Sequence, residues 1–381
     1  MIFIIGRIFP TYRKAILDGL SQKVELKFLH GRNNSGIGQI VAPYSIIVKQ
    51  FMYGKNETNV FLNPFYCILK YKPAVVIHEL AIGIISLPLT FLLCKILGLK
   101  FALWGHAYDR KRKFSPDSSF KDKIRLFYLQ KADAIIAYSK LEKQFLARIV
   151  DDKKIFVAQN TLDIPYLSKI KVQLEAEGKA EIKKRLNIIQ QYNLIFIGRL
   201  LESKHPEILV TLYEKLTNKL NGKLGIHFVG QGEKLDALKK EISEKGYDED
   251  FYFHGSIHDD EKSGELLYLC DMMVMPGYLG LSVNHAFCFE CPVVSFQQGP
   301  NGPFHSPEVE YVENGKTGFL VETDNIEMMT TQIFNYLTDE SLQEEIKRNI
   351  HHMITHVCSI ENMEIGFMEC FKYLNLGLLK K

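Results

Sequence analysis

Strand-length apolar runs alternate with longer amphipathic stretches along this chain, and the alternation occurs twice. Strands separated by helical stretches cannot close tight hairpins, so they lie parallel, with each helix crossing back over the sheet. The first set of runs is Met1–Ile5, Val24–Leu29, Ala74–Ile77, Phe101–Trp104, Ala134–Tyr138 and Ile155–Ala158. The second is Asn193–Ile197, Leu224–Val229, Asp250–His254, Met272–Met275, Pro292–Ser295 and Gly318–Val321. Between them lies Leu167–Gln190, highly charged, nearly free of aromatics and of helical character, which reads as the interdomain linker. At 381 residues the chain is too long for a single core. The pattern predicts an α/β protein with two Rossmann-like parallel-sheet domains, residues 1–166 and 191–345. A linker at 167–190 joins them, and helices over 346–381 follow, with room to cross back to the first domain. Open parallel sheets bind ligands outside the carboxyl ends of their strands, so the two domains are expected to face one another across a cleft.

With 46% hydrophobic and 24% charged residues the chain has the balance of a globular protein, not of a disordered one. Its net charge of +3 hides an asymmetry: residues 1–190 carry 31 Lys and Arg against 15 Asp and Glu, residues 191–381 carry 16 against 29. A basic half points to a polyanionic neighbour, either nucleic acid or an anionic membrane surface. The chain holds no basic-aromatic module for nucleic acid and a single tryptophan, Trp104, so no nucleic-acid partner is expected. The longest charge-free apolar stretch, Leu80–Cys94, contains Pro88 and falls short of the roughly 20 residues a spanning helix needs. It reads as a buried helix of the first domain, with a monotopic surface contact as the other reading. Seven scattered cysteines and a start without the features of a secretion signal suit a reducing, cytoplasmic setting.

The chemistry concentrates in the second set. Leu194–Lys204 (LIFIGRLLESK) is an apolar strand, then Gly198, then Arg199 and Lys204 ahead of a helical stretch. Two cations beside a helix start make an anion site: glycine admits backbone close to a ligand, the helix dipole favours negative charge, and a diphosphate takes two or more donors. Taken alone, the pair also fits solvated surface charge. Three more glycine-bearing turns follow in order: Phe228–Glu233 (FVGQGE), Phe253–Glu261 (FHGSIHDDE) and Pro276–Val294, where PGYLGLSVNHAF precedes a buried strand.

These turns, in this order, resemble the C-terminal domain of retaining GT-B nucleotide-sugar glycosyltransferases of the family 4 kind. The likeness extends into the first half. Leu103–Arg110 (LWGHAYDR) resembles that family's strand ending in a site histidine, Ala132–Ser139 (ADAIIAYS) its aspartate–strand–serine signature, and Gln159–Asp163 (QNTLD) its Asn-x-x-Asp segment. Val312–Val321 matches its tail piece. The resemblance implies a GT-B fold, with Arg199 and Lys204 on the donor diphosphate and His106 as the catalytic residue beside the transferred sugar. It places Gly230 and Ile257 along the nucleotide, and backbone amides of Gly280, Leu281 and Ser282 on the phosphates. It also implies front-face transfer with retention, a nucleotide-diphosphate sugar as donor substrate, and neither metal nor cofactor. One departure stands out: the family's two carboxylates, eight residues apart, fall on Gly277 and His285. Imidazole can still bond a ribose hydroxyl, whereas Gly277 offers no side chain.

Arg13, in the FPTYR segment after the first strand, and Glu79, after the third, are candidates for the acceptor side. The cluster Arg110–Lys113 is either a solvated loop or a contact for acidic headgroups or an anionic acceptor. Cys288 and Cys291 have a metal-like spacing, but without a second pair, and with a buried strand following, they read as core. The expected function is a retaining, metal-independent glycosyltransferase. It would move a sugar from a nucleotide-diphosphate sugar to a glycan or lipid-linked acceptor in bacterial surface-polysaccharide synthesis, in the cytoplasm and at an anionic inner membrane face. Rival readings are a nucleotide-sugar epimerase or a phosphorylase of the same fold, and a catalytically silent nucleotide-binding protein.

Overall fold

The computed structural model describes residues 1–32, 39–53, 59–108 and 114–374, so the Arg110–Lys113 cluster lies outside the described residues. The chain divides into two compact units, one built from the residues up to Asp163 together with Ile360 onward, the other from Ile164–Ser359.

The first unit holds strands β1 (Ile2–Gly6), β2 (Leu26–His30), β3 (Ser45–Ile47), β4 (Lys49–Tyr53), β5 (Asn59–Asn63), β6 (Val75–Glu79), β7 (Lys100–Trp104), β8 (Ala134–Ala137) and β9 (Ile155–Val157). Seven of them form a parallel sheet in the order β3-β2-β1-β6-β7-β8-β9, while β4 and β5 pair antiparallel. The central strands are continuous apolar runs because both faces are covered: every residue of β1 and β8 is buried. Alternate residues of β1 enter different cores. Ile2 and Ile4 pack with α1 (Lys14–Lys23), whereas Phe3 and Ile5 pack with α2 (Phe65–Tyr71), α3 (Leu87–Ile96) and α4 (Phe120–Lys131). Helix α5 (Lys140–Leu146) starts at Ser139, whose Oγ accepts from the Glu142 amide.

The six strands expected in this half are present, and β3, β4 and β5 are additional. Strand β4 (KQFMY) alternates exposed and half-buried residues and so lacks the apolar run that marks its neighbours. Leu80–Cys94 departs from the expectation of a buried helix: only its latter part is helical, and that helix is buried along one face. Within α3, Leu87, Thr90 and Cys94 are buried, while Leu89, Leu92 and Ile96 face outward. No helix among the described residues is long and apolar enough to cross a membrane.

The second unit opens with α6 (Ile164–Glu177) and α7 (Lys179–Arg185). These occupy the stretch expected to be a linker, and they are packed elements of the unit. Ile164, Leu167, Ile170 and Leu174 bury one stripe of α6, and Lys171 reaches Glu290 at 2.5 Å. Most of the other charges that suggested a linker sit on the outer face. Strands β10 (Tyr192–Ile197), β11 (Leu224–Val229), β12 (Phe251–Gly255), β13 (Met272–Val274), β14 (Val293–Phe296) and β15 (Gly318–Val321) follow, in the sheet order β12-β11-β10-β13-β14-β15, all parallel. Among them run α8 (Ile208–Thr217), α9 (Leu235–Glu244), α10 (Asp260–Leu269) and α11 (Ser282–Cys288), then α12 (Ile326–Thr338) and α13 (Glu340–His352).

The last helix, α14 (Ile360–Tyr373), belongs to the first unit. Met363, Phe367 and Cys370 join the core beside α1, and Lys23 pairs with Glu364. Gly366 permits the contact, since a Cβ there would stand 2.0 Å from the Val157 carbonyl oxygen. In both sheets the unit's first strand lies between its second and a later one, β1 between β2 and β6 and β10 between β11 and β13. Connections leave that point in opposite directions and open a crevice at the carboxyl ends of the strands, where doubly wound sheets hold ligands.

Candidate active site

In the second unit the crevice lies past β10 and β13. The turn after β10, Gly198–Leu200, and the turn after β11, Gly230–Gly232, run backbone against backbone. The Leu200 amide donates to the Gln231 carbonyl (3.0 Å) and the Lys234 amide to the Leu200 carbonyl (3.0 Å). Gly230 has φ +144°, and a Cβ on it would stand 1.9 Å from the Gly198 carbonyl oxygen. Its glycine is therefore required by the packing of the two turns, a structural reason beyond the nucleotide-lining role expected of it.

Gly277, one of the two positions where a carboxylate was expected, has a steric explanation. Its amide donates to the Lys204 carbonyl (3.1 Å), and a Cβ would stand 2.5 Å from Lys204 Cα and 2.6 Å from the Ser203 carbonyl oxygen. The turn after β13 is pressed onto the Leu201–His205 segment, and no side chain fits between. A cavity of about 600 Å³ opens beside this contact, walled by Arg199, Ser203, His205, Tyr278, Phe296 and the Asn301–Phe304 loop. Arg199 is exposed on that wall. Lys204 is buried; its ammonium donates to the Tyr278 carbonyl and lies 3.4 Å from the centre of the Tyr278 ring. The two cations paired in the sequence thus differ: Arg199 presents charge to the cavity, while Lys204 is tied to the turn that frames it.

His305 is a partner that sequence reasoning missed. Its Nδ1 accepts from the Leu279 amide (3.0 Å) and its Nε2 donates to the Phe296 carbonyl (2.8 Å). Burial lowers its pKa to about 4, so the ring is neutral and fixed in one tautomer. It fastens the turn bearing Tyr278 to the end of β14. No periodic or motif signal marks it, because it lies in an irregular loop.

Gly280, Leu281 and Ser282 lead into α11, and Gly280 has room, its would-be Cβ meeting nothing nearer than Ser306 Oγ at 3.6 Å. His285 sits one turn into α11. Its Nε2 is 4.0 Å from Asp260 Oδ1 and its ring meets Phe289 edge-on. Asp260 begins α10 three residues beyond Ile257, so His285 borders the connection that carries Ile257. Burial lowers its pKa to about 4, leaving a neutral ring with one donor and one acceptor. Cys288 and Cys291 are both buried, and burial pushes the Cys291 thiol up to about 12, as core cysteines behave. Among the described residues no His, Cys, Asp and Glu side chains gather as a metal site.

In the first unit the crevice lies between β1 and β6. There Glu79 Oε2 accepts from the Arg7 amide (2.7 Å), bracing the turn after β1. Arg13 is buried: its guanidinium lies 4.8 Å from the Trp104 ring and 5.1 Å from the Tyr138 ring, and Nη1 donates to Met363 Sδ on α14 (3.6 Å). It acts there as a packing cation beneath the strand ends. His106 follows β7, its ring 5.0 Å from that of Tyr138 and its Nδ1 3.5 Å from Glu142 Oε1. Glu142 is buried, with Oε1 accepting from the Ala107 amide (3.2 Å) and Oε2 from the Tyr138 amide (2.9 Å). One carboxylate ties the turn after β7 to the turn after β8 and touches the histidine. The signal that locates it was present in Ser139-Lys-Leu-Glu142, a capping-box spacing at a helix start.

The fold thus holds two switch-point crevices, with a cation and glycine turns at the second, and a half-buried histidine against a buried carboxylate at the first. The fold is that of the GT-B glycosyltransferases, and most of the second unit matches a glycosyltransferase family model. Residues 178–353 match the family model described as glycosyl transferases group 1. An uncharacterized glycosyltransferase of Methanocaldococcus jannaschii is 26% identical over 91% of this chain and 93% of its own length. A poly(ribitol-phosphate) alpha-N-acetylglucosaminyltransferase of Staphylococcus aureus is 25% identical over 46% of this chain and 34% of its own. The solved structure of Anabaena HepE in complex with UDP superposes with a TM-score of 0.70 at 15% identity, covering 97% of this chain and 99% of that one.

Proposed function

We propose that this chain is a retaining, metal-independent transferase that moves a sugar from a nucleotide-diphosphate sugar onto a glycan or lipid-linked acceptor, in the cytoplasm and in surface-polysaccharide synthesis. The observation that carries the reading is the cavity past β10 and β13, with exposed Arg199 on its wall and the turn after β13 contributing Pro276 and Tyr278. Arg199 offsets charge building on the departing diphosphate, the role a metal fills in other transferases. Lys204 holds the frame through Tyr278 and adds positive potential. His285, neutral, bonds a ribose hydroxyl, and Ile257 lines the base. His106 acts at the transferred sugar, with Glu142 fixing its orientation; Glu79 and Arg13 shape the acceptor side. UDP is the first nucleotide to test, because a structural neighbour was solved with it.

A thermal-shift series with nucleoside diphosphates tests the donor site, since a ligand at 100 times its dissociation constant adds about 2.7 kcal/mol. The expected result is selective stabilisation by one base; no response to any of them would overturn the reading. Product anomeric configuration read by NMR, with and without a chelator, tests retention and metal independence. The silent-binder reading draws on Gly277 and on the engaged Lys204, and nucleotide binding without turnover over a broad donor panel would establish it.

A further inference from the structure

Strands β4 and β5 form a ribbon whose two faces differ. In the register Lys49↔Asn63, Phe51↔Phe61 and Tyr53↔Asn59, each pair shares one face. The other face, where Val60 and Leu62 are buried, belongs to the core. On the outer face Phe51 and Tyr53 are 54% and 51% exposed, with half-buried Phe61 and Asn59 opposite them. The aromatic row runs on into α2: the Phe51 and Phe61 rings lie 6.5 Å apart, the Phe61 and Phe65 rings 6.1 Å, and Tyr66 is 69% exposed. Single exposed rings are ordinary, but a continuous row of them marks an interaction surface. The charge beside it is of one sign. Lys49, Lys70 and Lys72 are exposed, and none of the described residues within 45–72 is acidic. The ribbon is rooted at the carboxyl ends of the sheet. The Val48 amide donates to the His30 carbonyl at the end of β2 (2.9 Å), and in the segment after β6 the Gly83 carbonyl accepts from the Val60 amide (2.8 Å). Its outer face therefore adjoins the crevice between β1 and β6.

We propose that the outer face of the β4–β5 ribbon docks an anionic glycan, a sugar chain bearing carboxylate or phosphate groups, and leads it to the crevice as acceptor. A sugar ring carries C–H groups on its faces and hydroxyls around its rim. The ribbon offers the matching chemistry: the rings of Phe51, Tyr53 and Phe61 for the faces, and for the hydroxyls the amides of Asn59 and Asn63, which both donate and accept. The three cross-strand pairs span about 14 Å, four residue steps of an extended strand, so the surface is longer than one sugar ring. The lysines, without acidic neighbours, select negative charge. A lipid surface fits less well, because the amides alternate with the rings and would lose their water partners in an acyl layer. A second copy of the chain would set lysines against lysines. The inference rests on the proposed function for a glycan acceptor and goes beyond it in naming the charge of that glycan and the surface that reads it.

Calorimetric titration of the full chain with three soluble glycans tests it: dextran, dextran phosphate on the same backbone, and oligogalacturonate with a carboxylate on each ring. Binding of a charged glycan is expected to be about fivefold tighter than that of dextran and to weaken with salt. Preference for dextran phosphate or for oligogalacturonate identifies the phosphate or the carboxylate as the group recognised. Phe51→Ala with Tyr53→Ala should weaken this binding about tenfold, whereas Phe51→Trp should preserve it. Lys49→Gln with Lys70→Gln should remove most of the preference over dextran. These four side chains are exposed, so melting temperature and response to UDP should stay at wild-type values and report that the fold and the donor site persist. Equal affinity for dextran and both charged glycans, no binding of either charged glycan, or variants that bind like wild type overturn the proposal. So does a chain that ignores the glycans but floats with anionic vesicles, or dimerises in light scattering, through this ribbon. A chain that binds the charged glycans as expected yet responds to no nucleotide overturns the donor reading instead.

Discussion

Replacing Gly277 tests the geometry of the candidate donor site most directly. A Cβ at this position would lie 2.5 Å from Lys204 Cα and 2.6 Å from the Ser203 carbonyl oxygen, both backbone atoms that cannot swing aside. Gly277→Ala must therefore push the Leu201–His205 segment away and stretch the 3.1 Å bond from the Gly277 amide to the Lys204 carbonyl. Overpacking of this kind costs about 1 to 3 kcal/mol. For a unit of this size that lowers its melting temperature by about 2 to 12 °C. The displaced segment carries Lys204 and walls the cavity with Ser203 and His205, so UDP affinity should fall as well, by about tenfold. Gly280→Ala is the control: its Cβ meets only Ser306 Oγ at 3.6 Å, an ordinary contact, and both quantities should stay near wild type. Calorimetric melts and titrations of the two variants decide the matter. If Gly277→Ala melts and binds like Gly280→Ala, the close approach does not exist in solution and the steric account of the missing carboxylate fails. By the same geometry Gly277→Glu, which restores the missing carboxylate, should be at least as damaging as alanine.

Arg199→Ala should cost one charge-assisted contact, about 1.5 to 3 kcal/mol or roughly 10- to 100-fold in donor use, with an unchanged melt. Lys204→Ala should lower the melting temperature too, because the buried ammonium is bonded to the Tyr278 carbonyl; equal melts for the two variants would contradict that. His106→Ala should reduce turnover much more than donor affinity. Glu142→Gln, which keeps shape but loses the charge beside His106, should reproduce part of that loss and shift the pH profile of kcat, whereas a profile unmoved by Glu142→Gln leaves the residue merely structural. His285→Ala should weaken UDP binding by about 1 to 2 kcal/mol, with His285→Gln recovering part of it, and wild-type affinity in the alanine variant would remove the ribose assignment. In acid, His227, His285 and His305 act together: burial lowers their pKa values from 6.5 to about 3, 4 and 4. The unfolded chain takes up protons below about pH 6.5 that the folded unit refuses, so stability is lost as pH falls from 6.5 toward 4. Near pH 5.5 the slope should be about 3 to 4 kcal/mol per pH unit, and identical urea midpoints for the second unit at pH 7 and 5.5 would refute it.

What could be read from the residues depended on whether the physics was local. The parallel sheets were legible because strands covered on both faces must be apolar throughout, as β1 and β8 are. The helical character of the 167–190 segment was legible but its packing was not: Ile164, Leu167, Ile170 and Leu174 recur at the helical period inside a charged segment, and that stripe is buried in the second unit. Strands β4 and β5 escaped because their burial alternates, exposed with half-buried in β4 and half-buried with buried in β5, so neither shows an unbroken apolar run.

At the candidate site the same distinction holds. Glycine turns and the position of Arg199 are local and could be placed by spacing. What spacing cannot give is which atom a side chain reaches. Lys204 and Arg199 look equivalent in LIFIGRLLESK, yet one ammonium is spent on the Tyr278 carbonyl, 74 residues away, while the other cation faces the cavity. Glu142 is similar: its capping-box spacing promised a helix start, and the fold also uses the second oxygen and the buried position to join two strand ends beside His106. His305 carried no local signal because both its partners, Leu279 and Phe296, precede it in the chain and meet it only once β13 and β14 are paired. The absence at position 277 follows the same rule. It read as a lost carboxylate in sequence, and in the fold it is the glycine that lets two turns touch, so in the proposed reaction any contact to the donor sugar must come from a group other than that side chain.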